Sequence, residues 1–243
     1  MRVIRTHVDA PLAVGAVVTL DEQTSAHLVK VLRRQVGDPC VLFNGDGVDY
    51  HARLVTASRK GATAEVHEAV AALTESTLDV VLVQALARGE KMDWVLQKAT
   101  ELGVAAIVPV LTERTEVRLG GDRVERRLAH WRGVVAAACE QCGRARLPSL
   151  HAPLDLATHA ATRDRDRLGL VLDPEASIGL GGLPPGDRIE VVIGPEGGLS
   201  ERDLAALGAA GYVGVRLGPR VLRTETAGPA VLAALQVLRG DLG

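Results

Sequence analysis

An α/β protein with a mostly parallel sheet, preceded by a smaller β-rich module, is the architecture the sequence predicts. Three observations carry that expectation. Up to about residue 72, short apolar runs are separated by turn signals at close spacing. From residue 78 onward, continuous apolar runs alternate with amphipathic helical patterns. Two of the later apolar runs end in loops rich in glycine and proline that pass directly into helices. Closely spaced short runs suit a barrel or sandwich, whereas fully apolar strands alternating with helices suit a buried parallel sheet.

In the first module GAVVTL, CVLFNGDG, VDYHARLVTA and ATAEVHEAV read as strands, with NGDG and RKG as turns. One helix interrupts them. SAHLVKVLRRQ places Leu28, Val31 and Leu32 on one face by their i, i+3, i+4 spacing, with Arg33 and Arg34 at its carboxyl end, where cations suit the helix dipole. VAALTEST loses the strand pattern, so the expected domains are residues 1–72 and 73–243.

In the second region LDVVLVQAL is a buried strand. KMDWVLQKATELG is an amphipathic helix with Met92, Val95, Leu96, Ala99 and Leu102 on one face and Gly103 as its stop, and VAAIVPV is the next strand. The polar loop TERTEVRLGGDR leads to a long helix over about residues 122–142, whose Arg123, Arg126 and Arg127 share a polar face with Glu125 and are expected in solvent. Strands follow near residues 168–173, 188–194 and 212–217, and GLGGLPPGD at 179–187 reads as a surface loop.

Composition narrows the function classes. At 243 residues the chain can bury a sizeable core, filled by Ala, Val and Leu because aromatic residues make up only 2 %. Stacked aromatic platforms for nucleic acid are therefore not expected. Lys and Arg total 28 against 30 Asp and Glu, a net charge of −2, so any nucleic-acid site must be a local patch. Residues 1–72 are themselves balanced, with eight basic and eight acidic side chains. The amino terminus lacks the apolar run of a signal peptide and no apolar stretch reaches the ~18 residues of a membrane span, which reads as a soluble cytoplasmic protein. Cys139 and Cys142 form a C-x-x-C late in a helical pattern, without a second pair to complete a zinc site; a helical packing role is the better reading, and no metal is expected.

The chemistry concentrates in two loops. In VVIGPEGGLSERDLAAL, residues 191–207, Gly194, Pro195, Gly197 and Gly198 leave the main chain bare at a strand's carboxyl end before a helix with Ser200 as N-cap and Glu201 and Asp203 in its first turn. The loop has neither the G-x-G-x-x-G spacing of a dinucleotide site nor the G-K-[ST] of a phosphate loop. In LGPRVLRTETAGPAVLAAL, residues 217–235, a second strand ends in Gly218 and Pro219 and a helix opens near Thr224. Two such loops at adjacent strand ends can form one pocket walled by main-chain donors and acceptors, suited to an adenine or ribose edge.

KMDWVLQKATELGV, ERT, EQCGRARLP, IGPEGGLSERD and LGPRVLRTETA together resemble the RsmE family of SPOUT-superfamily methyltransferases, from HLVKVLRRQVGD to the carboxyl terminus. The resemblance implies an N-terminal PUA-like RNA-binding β-barrel, a carboxyl-terminal SPOUT domain tied into a trefoil knot, a homodimer, and S-adenosylmethionine as cofactor. It also implies methylation of N3 of a uridine in 16S ribosomal RNA of the small subunit, within an assembled particle or as free RNA; a catalytically inactive RNA-binding protein of the same fold is the alternative. The implied cofactor residues are Leu172, then Ile193, Gly194, Pro195, Glu196 and Gly197, then Leu217, Gly218, Val221, Leu222 and Arg223. Gly198 is read as a turn requirement alone.

The proton on the uridine N3 has to leave, and Glu225 and Glu196, the carboxylates on the two loops, are candidates for base or orienting group. Helix-dipole stabilisation for Glu225 and a solvated loop position for Glu196 are the bland alternatives. Arg223 is a third catalytic candidate, for holding a phosphate or an imide anion, with an ion pair to Glu225 as its structural alternative. Candidate RNA contacts are Arg5, Lys30, Arg33 and Arg34 in the first domain and Lys91, Lys98, Arg114 and Arg144 in the second, with Arg146 as a further basic neighbour. Glu140, Gln141 and Arg144 match the family's E-Q-x-x-R pattern.

Overall fold

A computed structural model describes residues 3–117 and 120–243. Met1 and Arg2 of the amino-terminal reading, and Arg118 and Leu119 of the predicted polar loop, lie outside the described residues. The chain packs into two compact units. The first ends at Glu75 and also takes in Ala136–Leu147; the second is Ser76–Val135 with Pro148–Gly243.

The first unit carries β1 (Ile4–His7), β2 (Val17–Thr19), β3 (Pro39–Phe43), β4 (Val48–Thr56) and β5 (Thr63–Ala71) in a five-stranded sheet of order β1-β3-β4-β5-β2. The pair β1 and β3 is parallel and the others antiparallel. Alternate residues Cys40, Leu42, Ala52, Leu54, Ala64 and Val66 fill its core with Leu12, Leu20 and Leu28, the period-two arrangement of a sheet with one buried face. The turn glycines Gly45 and Gly47 take positive φ (95° and 93°), as NGDG requires.

The helix between β2 and β3 corrects the expected pattern. It begins earlier, as α1 (Glu22–Ala26), because Asp21 caps it by accepting from Thr24 N–H at 2.8 Å. It then widens into a π-helical turn, His27–Val31, closed by a Leu32 N–H to His27 carbonyl bond of 3.0 Å. The i+5 spacing rotates the side chains off the 3.6-residue face. Leu28 stays buried, while Val31 and Leu32 are 66 % and 37 % exposed.

The second unit holds β6 (Asp79–Ala85), α2 (Lys91–Glu101), β7 (Ala106–Leu111), β8 (Ser149–Leu150), β9 (Leu154–Asp155), α4 (Leu156–Thr162), β10 (Leu168–Leu172), β11 (Arg188–Ile193), α5 (Glu201–Ala209), β12 (Val213–Val215) and α6 (Thr224–Arg239). The helix α3 (Asp122–Cys142) runs from this unit into the first. The sheet order is β12-β10-β11-β6-β7-β8, with β9 also on β7, and every pairing is parallel. The short β8, β9 and α4 have no counterpart in the sequence reading; they are too brief for periodicity to register.

Both faces of the sheet are covered, which is why its strands are apolar throughout. Val81, Val83, Ala85, Val108 and Val192 pack with Leu156 and Ala160 of α4 and Leu207 of α5. On the other face α6 lies on β6 so closely that a Cβ at Gly228 would sit 3.2 Å from Gln84 Oε1 and 3.6 Å from Leu82. Among the described residues no helix is long and apolar enough to cross a membrane.

Candidate functional site

Two loops meet at the carboxyl ends of β10, β11 and β12 around a cavity of about 610 Å³, the place where open parallel sheets bind ligands. Leu172, Ile193, Gly194, Pro195, Glu196 and Gly197 line one side. Leu217, Gly218, Val221, Leu222 and Arg223 line the other. All of the expected cofactor residues thus face one space, joined by Lys91, Asp173 and Thr224, which sequence reasoning had not placed there.

The glycines serve different ends. A Cβ on Gly194 would lie 3.1 Å from Leu199 Cγ and 3.3 Å from Leu199 N, so that position needs close backbone approach. Gly198 has open space around it but φ of +69°, a turn requirement, and its N–H closes the turn onto Pro195 carbonyl at 2.9 Å. The helix beyond starts as expected: Ser200 and Asp203 form a reciprocal capping box. Arg114 braces the loop from outside, donating to the carbonyls of Gly197 at 3.1 Å and Leu199 at 3.3 Å.

A buried chain of hydrogen bonds ties the two loops to β6. Gln84 Nε2 donates to Thr224 Oγ1 at 2.9 Å, and Thr224 Oγ1 donates to Gly194 carbonyl at 2.6 Å. Gln84 was not singled out from sequence, and Thr224 was named there only as the opening of the second helix. A glutamine within an apolar strand run was the available signal, because a buried amide requires partners.

Lys91 stands between the candidate carboxylates, with Nζ 3.0 Å from Glu196 and 3.5 Å from Glu225. Glu196 also accepts the main-chain N–H of Arg88 at 3.1 Å. Burial pushes the Glu196 carboxyl up, but Lys91, the Arg88 N–H and the loop's own N–H outweigh it and hold it below the usual range. The same contact raises the Lys91 ammonium. Glu225 Oε2 is buried, and the long Lys91 contact at 3.5 Å is the one it makes among the described residues. Arg223 is exposed at the N-cap of α6, and the partner of Glu225 is Lys91, not Arg223.

A cavity walled by bare main chain at parallel strand ends accommodates a nucleoside-sized ligand, and comparison with known proteins identifies the lineage. Residues 74–236 match the RNA methyltransferase domain family and residues 20–66 the RNA methyltransferase PUA domain. The ribosomal RNA small subunit methyltransferase E of Mycobacterium tuberculosis is 36 % identical, over 96 % of this chain and 90 % of its own length. The chain belongs to the ribosomal RNA small subunit methyltransferase E family. The member from Bacillus subtilis is 30 % identical over 88 % of this chain and 89 % of its own. The crystal structure of the Neisseria gonorrhoeae member, bound to S-adenosylmethionine, superposes with a TM-score of 0.93 at 35 % identity, covering all of both chains.

Within this chain the basic residues expected to meet RNA fall into different settings. Lys30 and Arg33 are exposed, with no side-chain partner among the described residues, Arg33 taking the left-handed φ of 53° after the π-helical turn. Arg34 lies 3.9 Å from Asp38 and Lys98 2.8 Å from Glu101. Arg5 and Arg144 correct the expectation of open contacts. Arg5 pairs with Asp49, donates to Arg144 carbonyl at 3.2 Å and lies over the Phe43 ring. Arg144, 5 % exposed, donates through Nη2 and Nε to Glu75 at 2.9 and 3.1 Å, so its guanidinium has no open face for a phosphate. Lys91 and Arg114 instead contact the loop after β11, Lys91 through Glu196 and Arg114 through the carbonyls of Gly197 and Leu199. In the E-Q-x-x-R segment Glu140 accepts from His7 N–H at 3.0 Å. Cys139 is buried with its thiol pushed up to about 12, mainly by burial, which makes it an inert packing group.

Proposed function

We propose that the chain transfers the methyl group of S-adenosylmethionine to N3 of a uridine in small-subunit 16S ribosomal RNA. The observation that carries this reading is the two-loop cavity, whose volume of about 610 Å³ and glycine main chain suit a compact nucleoside. The cofactor supplies an activated methyl on a sulfonium, so the chemistry left to the protein is alignment, exclusion of water and removal of the N3 proton.

The named side chains divide these tasks. Glu196, held ionised by Lys91 and anchored by Arg88 N–H, fixes the first loop. Glu225, half-buried beside the Lys91 ammonium at 3.5 Å, is the second carboxylate candidate to take the N3 proton. Arg223, exposed beside the cavity, offers a bidentate donor to the uridine oxygen or an adjoining phosphate. Lys30 and Arg33 supply a local phosphate patch in the first domain. The knot, the homodimer and the assembled subunit as substrate complete the reading that the resemblance implies, in a cytoplasmic setting. No observation favours the inactive RNA-binding alternative.

Titration calorimetry with S-adenosylmethionine, alongside Gly194→Trp, tests the cavity; a methylation assay on small-subunit particles, reading N3-methyluridine, tests the reaction. Saturable binding lost in the variant is expected. A folded wild type that neither binds the cofactor nor methylates the particle overturns the proposal.

A further inference from the structure

The rim of the two-loop cavity carries positive charge that nothing in the protein neutralises. Arg216, Arg220 and Arg223 all line the cavity and are exposed, and none has a side-chain partner among the described residues. They fall within residues 216–223, a segment without an acidic side chain. A single exposed arginine is ordinary, but this chain has more acidic than basic residues, 30 against 28, and matches many of its arginines elsewhere. Arg5 meets Asp49, Arg88 meets Glu116, Arg144 meets Glu75 and Arg188 meets Asp164. At the cavity itself Glu196 and Glu225 are taken by Lys91, and Asp173 accepts the Glu175 N–H at 2.9 Å.

The segment is pinned at both ends. Arg216, just beyond β12, donates its N–H to the Ile178 carbonyl at 2.7 Å. Arg223, the N-cap of α6, accepts from Thr226 and Ala227 N–H at 2.9 and 2.8 Å. Between them Gly218 turns the chain at a φ of +73° with open space around it. The guanidinium groups are therefore carried on a loop whose ordering cost folding has already met.

Their charge does not suit the cofactor. S-adenosylmethionine bears a sulfonium, an ammonium and one carboxylate, a net positive charge that unpaired arginines repel. The ligand that matches them is a polyanion, because a guanidinium fork takes two oxygens of a phosphate at once.

We propose that Arg216 and Arg220 hold the RNA phosphates next to the acceptor nucleotide, leaving Arg223 to the uridine itself. The proposal rests on the methyltransferase reading above and adds the backbone contact that seats the acceptor strand. Both arginines line the same cavity as Ile193, Gly194 and Gly197, so a nucleotide anchored by them opens directly onto the space that holds the methyl donor.

The test is Arg216→Ala and Arg220→Ala, singly and together, with Arg220→Lys to restore the charge. Both side chains are exposed, so the alanine variants keep the fold. Binding to 16S ribosomal RNA is measured by filter retention across a range of KCl concentrations, S-adenosylmethionine affinity by calorimetry, and methyl transfer on small-subunit particles. Each alanine is expected to reduce the salt slope of RNA binding by about 1, and the pair by about 2. In the double variant kcat/KM for the particle should fall by about tenfold or more while the cofactor Kd is no weaker than in the wild type. Arg220→Lys should regain the slope. Wild-type slopes in both alanine variants overturn the assignment, and so does a weakened cofactor Kd with RNA binding intact, which would give the arginines to the cofactor carboxylate. A wild type that neither binds S-adenosylmethionine nor methylates the particle overturns the parent reading, a result read without the variants.

Discussion

Thr224→Val removes one hydroxyl and leaves the shape of the side chain almost unchanged, which isolates the link between the two loops. That hydroxyl accepts from Gln84 at 2.9 Å and donates to Gly194 carbonyl at 2.6 Å. Gln84 keeps its bond to Ala85 carbonyl at 3.0 Å, so the larger loss falls on Gly194, whose carbonyl is left without that donor. Two neutral hydrogen bonds at ~0.5–1.5 kcal/mol each, partly at buried groups, give a destabilisation of about 2 kcal/mol. For a chain of this size that lowers the melting temperature by about 4–8 °C. Because Gly194 forms the cavity wall, its displacement weakens S-adenosylmethionine binding by about tenfold, or ~1.4 kcal/mol. Thermal unfolding followed by circular dichroism and titration calorimetry measure the two effects, with Thr224→Ser as the variant that restores the hydroxyl. A valine variant with wild-type melting temperature and affinity would refute the idea that this bond sets the loop.

The remaining predictions concern charge. On β11, Glu190 is buried against Tyr212, His159 at 3.2 Å and Arg163 at 3.7 Å; burial pushes its carboxyl up, but these partners outweigh burial and hold it below its ordinary value. Its contribution is therefore complete above the unfolded carboxyl range and lost as pH falls through the lowered folded value, so urea unfolding from pH 7 downward should show a loss of stability that Glu190→Gln shows less steeply. Removing the charge at pH 7 should itself cost about 3 kcal/mol, since Arg163 is left buried without its partner. Arg144→Ala should destabilise the protein by about 2 kcal/mol, because Glu75 loses both guanidinium bonds and keeps the Arg146 N–H, measured by denaturant midpoint. Lys30→Ala and Arg33→Ala should leave stability unchanged and each reduce the salt slope of RNA binding by about 1. Arg223→Ala should keep the fold while losing methyl transfer by about a hundredfold; wild-type turnover in single-turnover assays would remove Arg223 from the machinery.

Local signals in the sequence determined a good part of this protein. The alternation from LDVVLVQAL onward specified parallel strands between helices because strands buried on both faces must be apolar throughout. Gly194 and Gly198, Ser200 with Asp203, and the second loop up to Thr224 were legible because loop chemistry and capping act over a few residues. The motif set also identified the family. Tertiary structure alone decided which charges are free. Arg144 and Lys30 are both basic residues, yet Arg144 meets Glu75 in a buried pair and Lys30 stays in solvent. Lys91 joins Glu196 and Glu225, more than a hundred residues along the chain, and Gln84 reaches Thr224 across a similar separation. The return of Ala136–Leu147 to the first unit and the π-helical turn that exposes Val31 and Leu32 were equally hidden. The physical reason is common to all of them: periodicity reports which face of one element is apolar, whereas an ion pair, a hydrogen-bonded link between loops or a shared cavity exists only once the chain has brought distant residues together.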